Sequence, residues 1–397
     1  IGAFFVVAVF PFVLGTMWLS IVIHNAKTII KSMLWFGVFT AVCLAVLFLV
    51  VGQFLLFVVM AVLCCLNVWY IHAVRDRIEF ASTVLEIACR SIKIHYSGIM
   101  AVVSGLCILQ LLWVLLWGAA GADVFAALQE EEDSNSQHNE SLLHNNKVIC
   151  FFLLVSLYWG VMLGNAIVEC VVSGLVSCWW FQPGRPYPLK GSVWRAMTYS
   201  FGSLCLGSLI VSVVMGVRAF FRLLRGGGSN RRSGSNLVLA CFYQVVDYIL
   251  GAIESVILYF NKYAFSYVAA YGENFVTSGR NVMELFSRRG FTAIINDNLI
   301  SNVFQLTVII LGICSGVCGY VVACFWTAHY GQSNVLVTSL TIFGFLSGSI
   351  VGMLLSSMLS SATAMVFVCF AEDPDILKRN HFDDFHTLYG SWEKIHP

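Results

Sequence analysis

The chain has 397 residues, of which 59% are hydrophobic and 11% are charged. A soluble domain carries about 25% charged residues, so this chain lacks the charge that coats a water-soluble protein of its size. The 22 Lys and Arg residues balance 21 Asp and Glu residues, which excludes the overall basic field typical of nucleic-acid-binding proteins.

Long apolar runs occupy most of the sequence, and each can cross roughly 30 Å of hydrocarbon as a helix of about 20 residues. In lipid a helix satisfies its own backbone hydrogen bonds. We therefore predict an all-α fold, a polytopic transmembrane helical bundle with about nine apolar helices in this chain. The predicted segments are 1–23, 34–51, 53–73, 97–120, 148–178, 197–217, 237–260, 298–326 and 335–370.

Two of these segments, 148–178 and 335–370, are longer than one crossing needs. At about 1.5 Å rise per residue they must tilt, protrude from the membrane or break. In the second of them Gly344, Gly348 and Gly352 recur every four residues, which predicts close contact with another helix on one face.

The loops predict the orientation, because cytoplasmic loops carry an excess of Lys and Arg. The loops after the first and third segments are basic and are predicted to be cytoplasmic. The loop at 123–147 is acidic and contains the sequon Asn139-Glu140-Ser141, so it is predicted to be extracellular, with Asn139 as a candidate glycosylation site. The basic loop at 179–196 is then predicted to be cytoplasmic.

If 197–217 crosses the membrane, residues 218–236 lie outside, yet this stretch is rich in arginine, which is typical of cytoplasmic loops. The sequence leaves open whether 197–217 and 237–260 both cross the membrane. We predict one transmembrane domain over 1–370, with a polar connection at 261–297. Ile1 is not Met and lies in an apolar run, so we expect a further N-terminal portion.

Motifs for catalysis and cofactor binding are absent. No G-x-x-x-x-G-K-[ST], H-E-x-x-H or G-x-S-x-G pattern occurs, so we predict a protein that is not an enzyme and has no cofactor. The cysteines lie mostly in apolar runs without a C-x-x-C pair, which favours packing over metal binding. The cluster His381 to His386 falls in a C-terminal tail, 371–397, that we expect to be cytoplasmic and solvated rather than a metal site.

Placing an ionisable residue at the centre of the membrane costs several kcal/mol, so such residues inside apolar runs are candidates for a functional role. Glu169 lies in 148–178, and Asp247 and Glu254 lie in 237–260; a structural hydrogen bond or ion pair is the alternative for each. A quaternary ammonium has no N–H to donate, so its sites use aromatic faces and a nearby negative charge. The predicted cation site comprises Trp113, Trp117, Tyr158, Trp159, Asn165 and Glu169, and ordinary packing or an interfacial aromatic belt is the alternative for its aromatic residues.

Four blocks after residue 148 resemble the choline transporter-like family, of the plasma-membrane choline transporter type. They are the run from Leu157 to Trp180, the doubled Gly-Ser motif in Tyr199 to Ile210, the stretch Asn261 to Ser278, and the exit Phe367 to Pro374. The resemblance implies gating or motif roles for Gly202, Ser203, Gly207, Ser208, Asn261, Gly272, Asn274 and Ser278.

The resemblance also implies about ten helices in the full protein, with one N-terminal helix and an extracellular loop preceding this chain. Glu169 stands where a Gln-like residue is expected, Phe265 stands where Tyr is common, and 218–236 lacks a Cys-rich character, which together indicate a divergent branch.

The function that this resemblance implies is facilitated, alternating-access transport of choline or a related small organic cation. The expected location is the plasma membrane or an organelle membrane, among membrane lipids and without nucleic acid. Protein partners and a homo-oligomer stay open. A non-transporting scaffold subunit of a larger membrane assembly is the main alternative, and handling of lipid is a weaker one.

Overall fold

The protein is described by a computed structural model that covers the backbone of residues 2–73, 75–134, 140–227, 237–289, 292–330 and 334–394, and fewer side chains, leaving out chiefly those of 123–147, 223–243, 289–299 and 328–335. Across these residues the chain is helical and contains no strand, as predicted. The helices are α1 (Gly2–His24), α2 (Ala26–Val50), α3 (Phe54–Ala73), α4 (Arg75–Lys93), α5 (Tyr96–Ser134), α6 (Glu140–Phe181), α7 (Pro188–Met197), α8 (Phe201–Gly227), α9 (Leu237–Tyr271), α10 (Phe275–Arg289), α11 (Thr292–Tyr330), α12 (Asn334–Glu372), α13 (Pro374–Asn380) and α14 (Phe382–Glu393).

Eight of these helices contain a stretch long and apolar enough to cross a membrane. The stretches are Gly2–Val22, Thr28–Val50, Phe54–His72, Tyr96–Ala122, Val148–Phe181, Phe201–Arg222, Phe304–Thr327 and Leu336–Glu372. They coincide with eight of the nine predicted apolar segments. The ninth prediction, 237–260, falls on α9, which carries Asp247 and Glu254 and holds no such stretch among the residues described.

The two longest predicted segments are unbroken helices. α6 contains 42 residues and α12 contains 39. At 1.5 Å per residue each is about 60 Å long, roughly twice the hydrocarbon thickness. Of the three predicted outcomes the structure excludes a break, so these helices tilt or protrude.

The predicted polar segments are also largely helical. Within 123–147, which was predicted to be a loop, α5 extends to Ser134 and α6 begins at Glu140. Asn139, the candidate glycosylation site, lies outside the described residues. The predicted connection at 261–297 is occupied by the end of α9 and by α10, so polar composition did not indicate loss of helix there.

The chain divides into two compact units. The first comprises residues 1–97, 175–188 and 284–397, and the second comprises 98–174 and 189–283. All fourteen residues predicted as site or motif residues belong to the second unit.

In the first unit, α11 and α12 pack closely along a row of glycines. A Cβ atom added to Gly348 would overlap the carbonyl oxygen of Leu311, and one added to Gly344 would overlap that of Ser315. A Cβ on Gly352 would lie 2.8 Å from the α11 backbone. The close helix contact predicted from the four-residue glycine spacing is confirmed.

The C-terminal segment is a packed part of the first unit. Leu377 and Leu388 are fully buried, and the Trp392 ring lies 5.5 Å from the ring of Phe80 on α4 and 5.6 Å from that of Phe370 on α12. α13 and α14 therefore bury one face against distant parts of the chain, so the segment is docked rather than solvated on all sides, while most of its residues stay exposed or partly exposed.

Polar contacts fix the same segment. The imidazole of His381 stacks on Trp179 with ring centroids 4.0 Å apart, and the Asp384 carboxylate accepts a hydrogen bond from Arg90 on α4. Burial raises the pKa of the Asp384 carboxyl, and the positive charge of Arg90 opposes that shift. These residues hold the segment in place, and no group of three or more metal-binding side chains occurs in the described part of the chain.

Candidate cation site on the sixth helix

The second unit is built around the middle of α6. Its apolar core joins α6 to α7, α8 and α9 through the buried side chains of Ala166, Ile167, Cys170, Val171, Ala196, Leu204, Phe265 and Ala269. One stripe of α6 is left out of this core.

That stripe carries three of the six residues of the predicted cation site, Tyr158, Asn165 and Glu169. They are seven and four residues apart, so at about 100° per residue their side chains leave the helix within about 40° of one another. All three are partly exposed, whereas residues 166–168 and 170–178 are buried. A carboxylate, an amide and a phenol therefore share one face of a helix long and apolar enough to span a membrane.

Trp113 and Trp117 belong to α5 and pack against a different face of α6. The Trp113 indole lies against Gly160, at a place where a Cβ would overlap the ring. The indole N–H of Trp117 donates to the carbonyl oxygen of Leu153 at 2.8 Å. Both indoles therefore fill the contact between two helices in this structure.

Trp159 faces α8. Its indole N–H donates to the carbonyl oxygen of Cys205 at 3.3 Å. The aromatic residues predicted to form a cage are thus divided between the α5 and α8 sides of α6. The structure aligns Tyr158, Asn165 and Glu169 on one face of α6, with Tyr158 about 16 Å from Glu169 along the helix axis, and does not bring the three tryptophans to one point.

Gln110 is a buried polar residue that the sequence analysis missed. It is 3% exposed, its side-chain N–H donates to the carbonyl oxygen of Val161 at 2.8 Å, and its amide packs on Gly164. Its side-chain oxygen has no hydrogen-bond partner in the described structure. The signal was present, because Gln110, Trp113 and Trp117 follow a three-and-four spacing on one face of α5.

The doubled Gly-Ser motif in α8 marks a close helix contact at its second half only. A Cβ on Gly207 would lie 2.6 Å from the Phe265 ring of α9 and 2.7 Å from the Phe275 ring of α10, and the carbonyl of Gly207 accepts a hydrogen bond from Asn261 at 2.8 Å. Gly202 has open space beside it. Ser208 is buried and donates within α8 to Leu204, while Ser203 is partly exposed.

This difference predicts opposite effects of the same substitution in one helix. Gly207→Ala should lower the stability by about 1–3 kcal/mol, because the added methyl group crowds two aromatic rings. Gly202→Ala should be neutral or slightly stabilising, because alanine favours a helix over glycine. Thermal unfolding of the purified variants measures both, and equal loss of stability in the two would contradict this packing.

The remaining motif residues form the turn between α9 and α10. Gly272 has φ +72°, a left-handed conformation that favours glycine, and Asn274 accepts a hydrogen bond from the backbone N–H of Thr277 at 2.8 Å, which caps α10. Ser278 is fully buried in the first turns of α10, and its hydroxyl has no hydrogen-bond partner among the described residues. The structural role of Gly272 and Asn274 is therefore to set this turn.

The two carboxylates of the predicted segment 237–260, Asp247 and Glu254, are used in ion pairs. Arg218 on α8 lies across Gly251 and contacts Asp247 at 3.0 Å and Glu254 at 2.7 Å, and Arg222 binds Asp247 through two nitrogens. The structural alternative that the sequence left open is the one observed. Two of the five arginines of 218–236 are thus neutralised by α9, which removes part of the conflict with the charge rule.

Comparisons with known proteins identify the family. The plasma-membrane choline transporter family matches residues 58–375, about four fifths of the chain. Protein PNS1 of Debaryomyces hansenii is 28% identical over 351 residues, which cover 85% of this chain and 66% of that protein. PNS1 of Candida albicans is 27% identical, covering 84% and 65%. The CTL-like protein of Dictyostelium discoideum is 27% identical, covering 94% and 63%.

The chain spans just under two thirds of the length of these relatives. The matched region contains α6 with its polar stripe, the Gly-Ser motif of α8 and the turn after α9. The described part of the chain also contains eight helices with the length and composition of membrane spans. The protein is thus a multi-pass integral membrane protein that belongs to the plasma-membrane choline transporter family.

Proposed function

We propose that this protein transports choline or a related small organic cation by facilitated alternating access, and that Glu169 supplies the negative charge of the substrate site. Membership of a transporter family supports the general activity. The observation that carries the specific proposal is the polar stripe of α6, where Glu169 lies in line with Asn165 and Tyr158.

The chemistry of the substrate explains why such a stripe suits it. Choline carries a permanent positive charge and a single hydroxyl, and its methyl groups offer no N–H donor. A carboxylate stabilises that charge in a low-dielectric surrounding, and an aromatic face adds about 0.5–2 kcal/mol through a cation–π contact. Glu169 supplies the first, and the Asn165 amide, one turn away, is suited to the hydroxyl. Tyr158 lies about 16 Å from Glu169 along the helix axis, so its ring would meet the substrate at a second position along the stripe.

The three tryptophans have a less direct role in this proposal. Trp117 and Trp159 are hydrogen-bonded to backbone carbonyls of α6 and α8, and Trp113 is packed on Gly160. They hold α5 and α8 against α6 and so position the stripe. A cage that includes them requires α5 and α8 to shift relative to α6 during the transport cycle.

The helix movements that alternating access needs are supported by glycine contacts. Gly207 in α8, and Gly344 and Gly348 in α12, lie where two helix backbones or a backbone and a ring approach without an intervening side chain. Smooth contacts of this kind allow one helix to rock against another. Gly202 has no such contact, so we assign the movement in α8 to Gly207.

The test is choline binding to the purified full chain, measured as the rise in unfolding temperature on titration with choline. Glu169→Gln should weaken the apparent affinity by tenfold or more, since a charge-assisted contact contributes about 1.5–3 kcal/mol. Glu86→Gln is the matched control, because the Glu86 side chain is 60% exposed on α4. Equal choline affinity in wild type and Glu169→Gln would remove Glu169 from the site.

A further inference from the structure

The single lysine of α9, Lys262, lies in a segment that is otherwise buried. Residues 261 and 263–269 are buried, whereas Lys262 is partly exposed. Its ammonium group lies over the Tyr263 ring, 5.5 Å from the ring centroid, which is a cation–π contact. A charge among buried apolar residues is stable when an opposite charge lies beside it. The position of α9 relative to α6 indicates which carboxylate that is.

α6 and α8 run antiparallel. Near the start of α6, the Phe151 ring lies 5.7 Å from the Phe220 ring of α8. Two turns later on α6, the Trp159 indole donates to the carbonyl oxygen of Cys205, which lies earlier on α8. Residue numbers therefore rise along α6 in the direction in which they fall along α8.

α8 and α9 run antiparallel as well. Arg218 of α8 contacts Glu254 of α9 at 2.7 Å, and the Gly207 carbonyl accepts a hydrogen bond from the later residue Asn261 at 2.8 Å. Because α6 and α9 are both antiparallel to α8, the two helices run parallel to each other.

One buried contact sets the register of α6 against α9. The hydroxyl oxygens of Ser173 and Ser266 lie 3.3 Å apart, and both side chains are fully buried. In parallel helices, the residues four positions before such a pair are also neighbours, about 6 Å along the axis. Those residues are Glu169 and Lys262, both of which have long side chains, and neither is without a partner in the structure.

From this register we propose that Lys262 is the counter-charge of Glu169 when no substrate is bound, and that choline or a related cation competes with it for the carboxylate. This inference rests on the proposed role of Glu169 in the substrate site. The Lys262 ammonium has the aromatic contact that a quaternary ammonium requires, and the register supplies the carboxylate. Lys262 thus stands in for the substrate cation.

The same arrangement provides aromatic rings that the predicted cage lacked. The Tyr259 ring lies 5.0 Å from the Tyr263 ring, so α9 offers two neighbouring aromatic rings close to the ammonium. An ion pair between Glu169 and Lys262 also keeps the carboxylate neutralised in the empty protein, where an unpaired charge would be costly. Substrate binding then exchanges one cation for another.

The first experiment tests the ion pair without choline, by a double-mutant cycle on the purified full chain. Glu169→Gln and Lys262→Met each leave one charge without its partner, and the double variant removes both charges. The fall in unfolding temperature of the double variant should therefore be smaller than the sum of the two single falls. In the matched cycle, Lys190→Met, which changes an exposed lysine of α7, should add to Glu169→Gln without coupling. Additive changes for Lys262 and Glu169 would overturn the pair.

The second experiment titrates the same variants with choline and follows the rise in unfolding temperature. Lys262→Met should strengthen the apparent choline affinity by about tenfold or more, because the carboxylate no longer has an internal partner. Lys190→Met should leave the affinity unchanged. A lysine with a purely structural role gives unchanged or weaker choline binding in Lys262→Met, and either result would overturn the competition.

A conservative variant keeps the test decisive if Lys262→Met does not fold. Lys262→Arg retains the charge and can bind a carboxylate through two nitrogens, so it should compete more strongly and weaken the choline affinity. Unchanged affinity in Lys262→Arg would count against the competition. If the wild type binds no choline, the proposed function fails and the competition fails with it, while the double-mutant cycle still decides whether Glu169 and Lys262 pair.

Discussion

Gly348→Ala is expected to cause a large loss of stability, of about 2 kcal/mol or more, although alanine has the better helix propensity. The Cβ would overlap the Leu311 carbonyl oxygen and lie 2.6 Å from the Ser315 Cβ, both on α11. Backbone atoms of a packed helix cannot rotate away as a side-chain tip can. The two helices must therefore separate, and each loses contacts along its length.

Gly316 of α11 provides the matched control in the same helix pair. A Cβ at that position would lie 3.4 Å from the Phe345 Cβ, an ordinary contact, so Gly316→Ala should change stability by less than about 0.5 kcal/mol. The unfolding temperature of the two variants in the same detergent is the measurement. A similar loss in both, or none in Gly348→Ala, would contradict the close packing of α11 on α12.

The glycine spacing of α12 shows what a sequence can predict. Small residues every four positions lie on one helix face by geometry alone, so the contact of Gly344 and Gly348 with a neighbouring helix followed from the sequence. The sequence did not show that this neighbour is α11, because a four-residue spacing carries no information about which helix packs against it. The membrane spans were predictable for the same reason, since length and apolarity are local properties.

Side-chain partners were less accessible to sequence reasoning. Trp113 and Trp159 both looked suited to a cage, yet one packs on Gly160 and the other donates to a carbonyl of α8. Which way an indole points depends on the helix that packs beside it. Tyr158, Asn165 and Glu169 share one face because they belong to one helix, where the spacing fixes the direction, and their role in a cation site stays a prediction.

The docking of the C-terminal segment was missed for a related reason. Its polar composition masks Leu377 and Leu388, whose burial depends on docking in the first unit. Asp384 pairs with Arg90, which lies 294 residues earlier, and no local pattern carries that information. The ion pairs of Asp247 and Glu254 with Arg218 likewise needed α8 and α9 to be placed side by side.

Glu169→Gln is expected to give the largest functional effect, a loss of choline transport of tenfold or more with the fold intact. The substitution keeps the shape and hydrogen-bonding capacity of the side chain and removes its charge. If the carboxylate balances the charge of the substrate within the membrane, its loss leaves the ammonium without a counter-charge in a low-dielectric site. The unfolding temperature without choline measures any structural contribution of the carboxylate separately from its effect on transport.

The measurement that tests the central claim most directly is uptake of radiolabelled choline into proteoliposomes containing the wild type, Glu169→Gln or the control Glu86→Gln. We predict saturable uptake that excess unlabelled choline suppresses in the wild type and the control, and a loss of tenfold or more in Glu169→Gln. Absence of saturable uptake by the folded wild-type chain, or equal uptake by Glu169→Gln, would contradict a choline transporter whose site depends on Glu169.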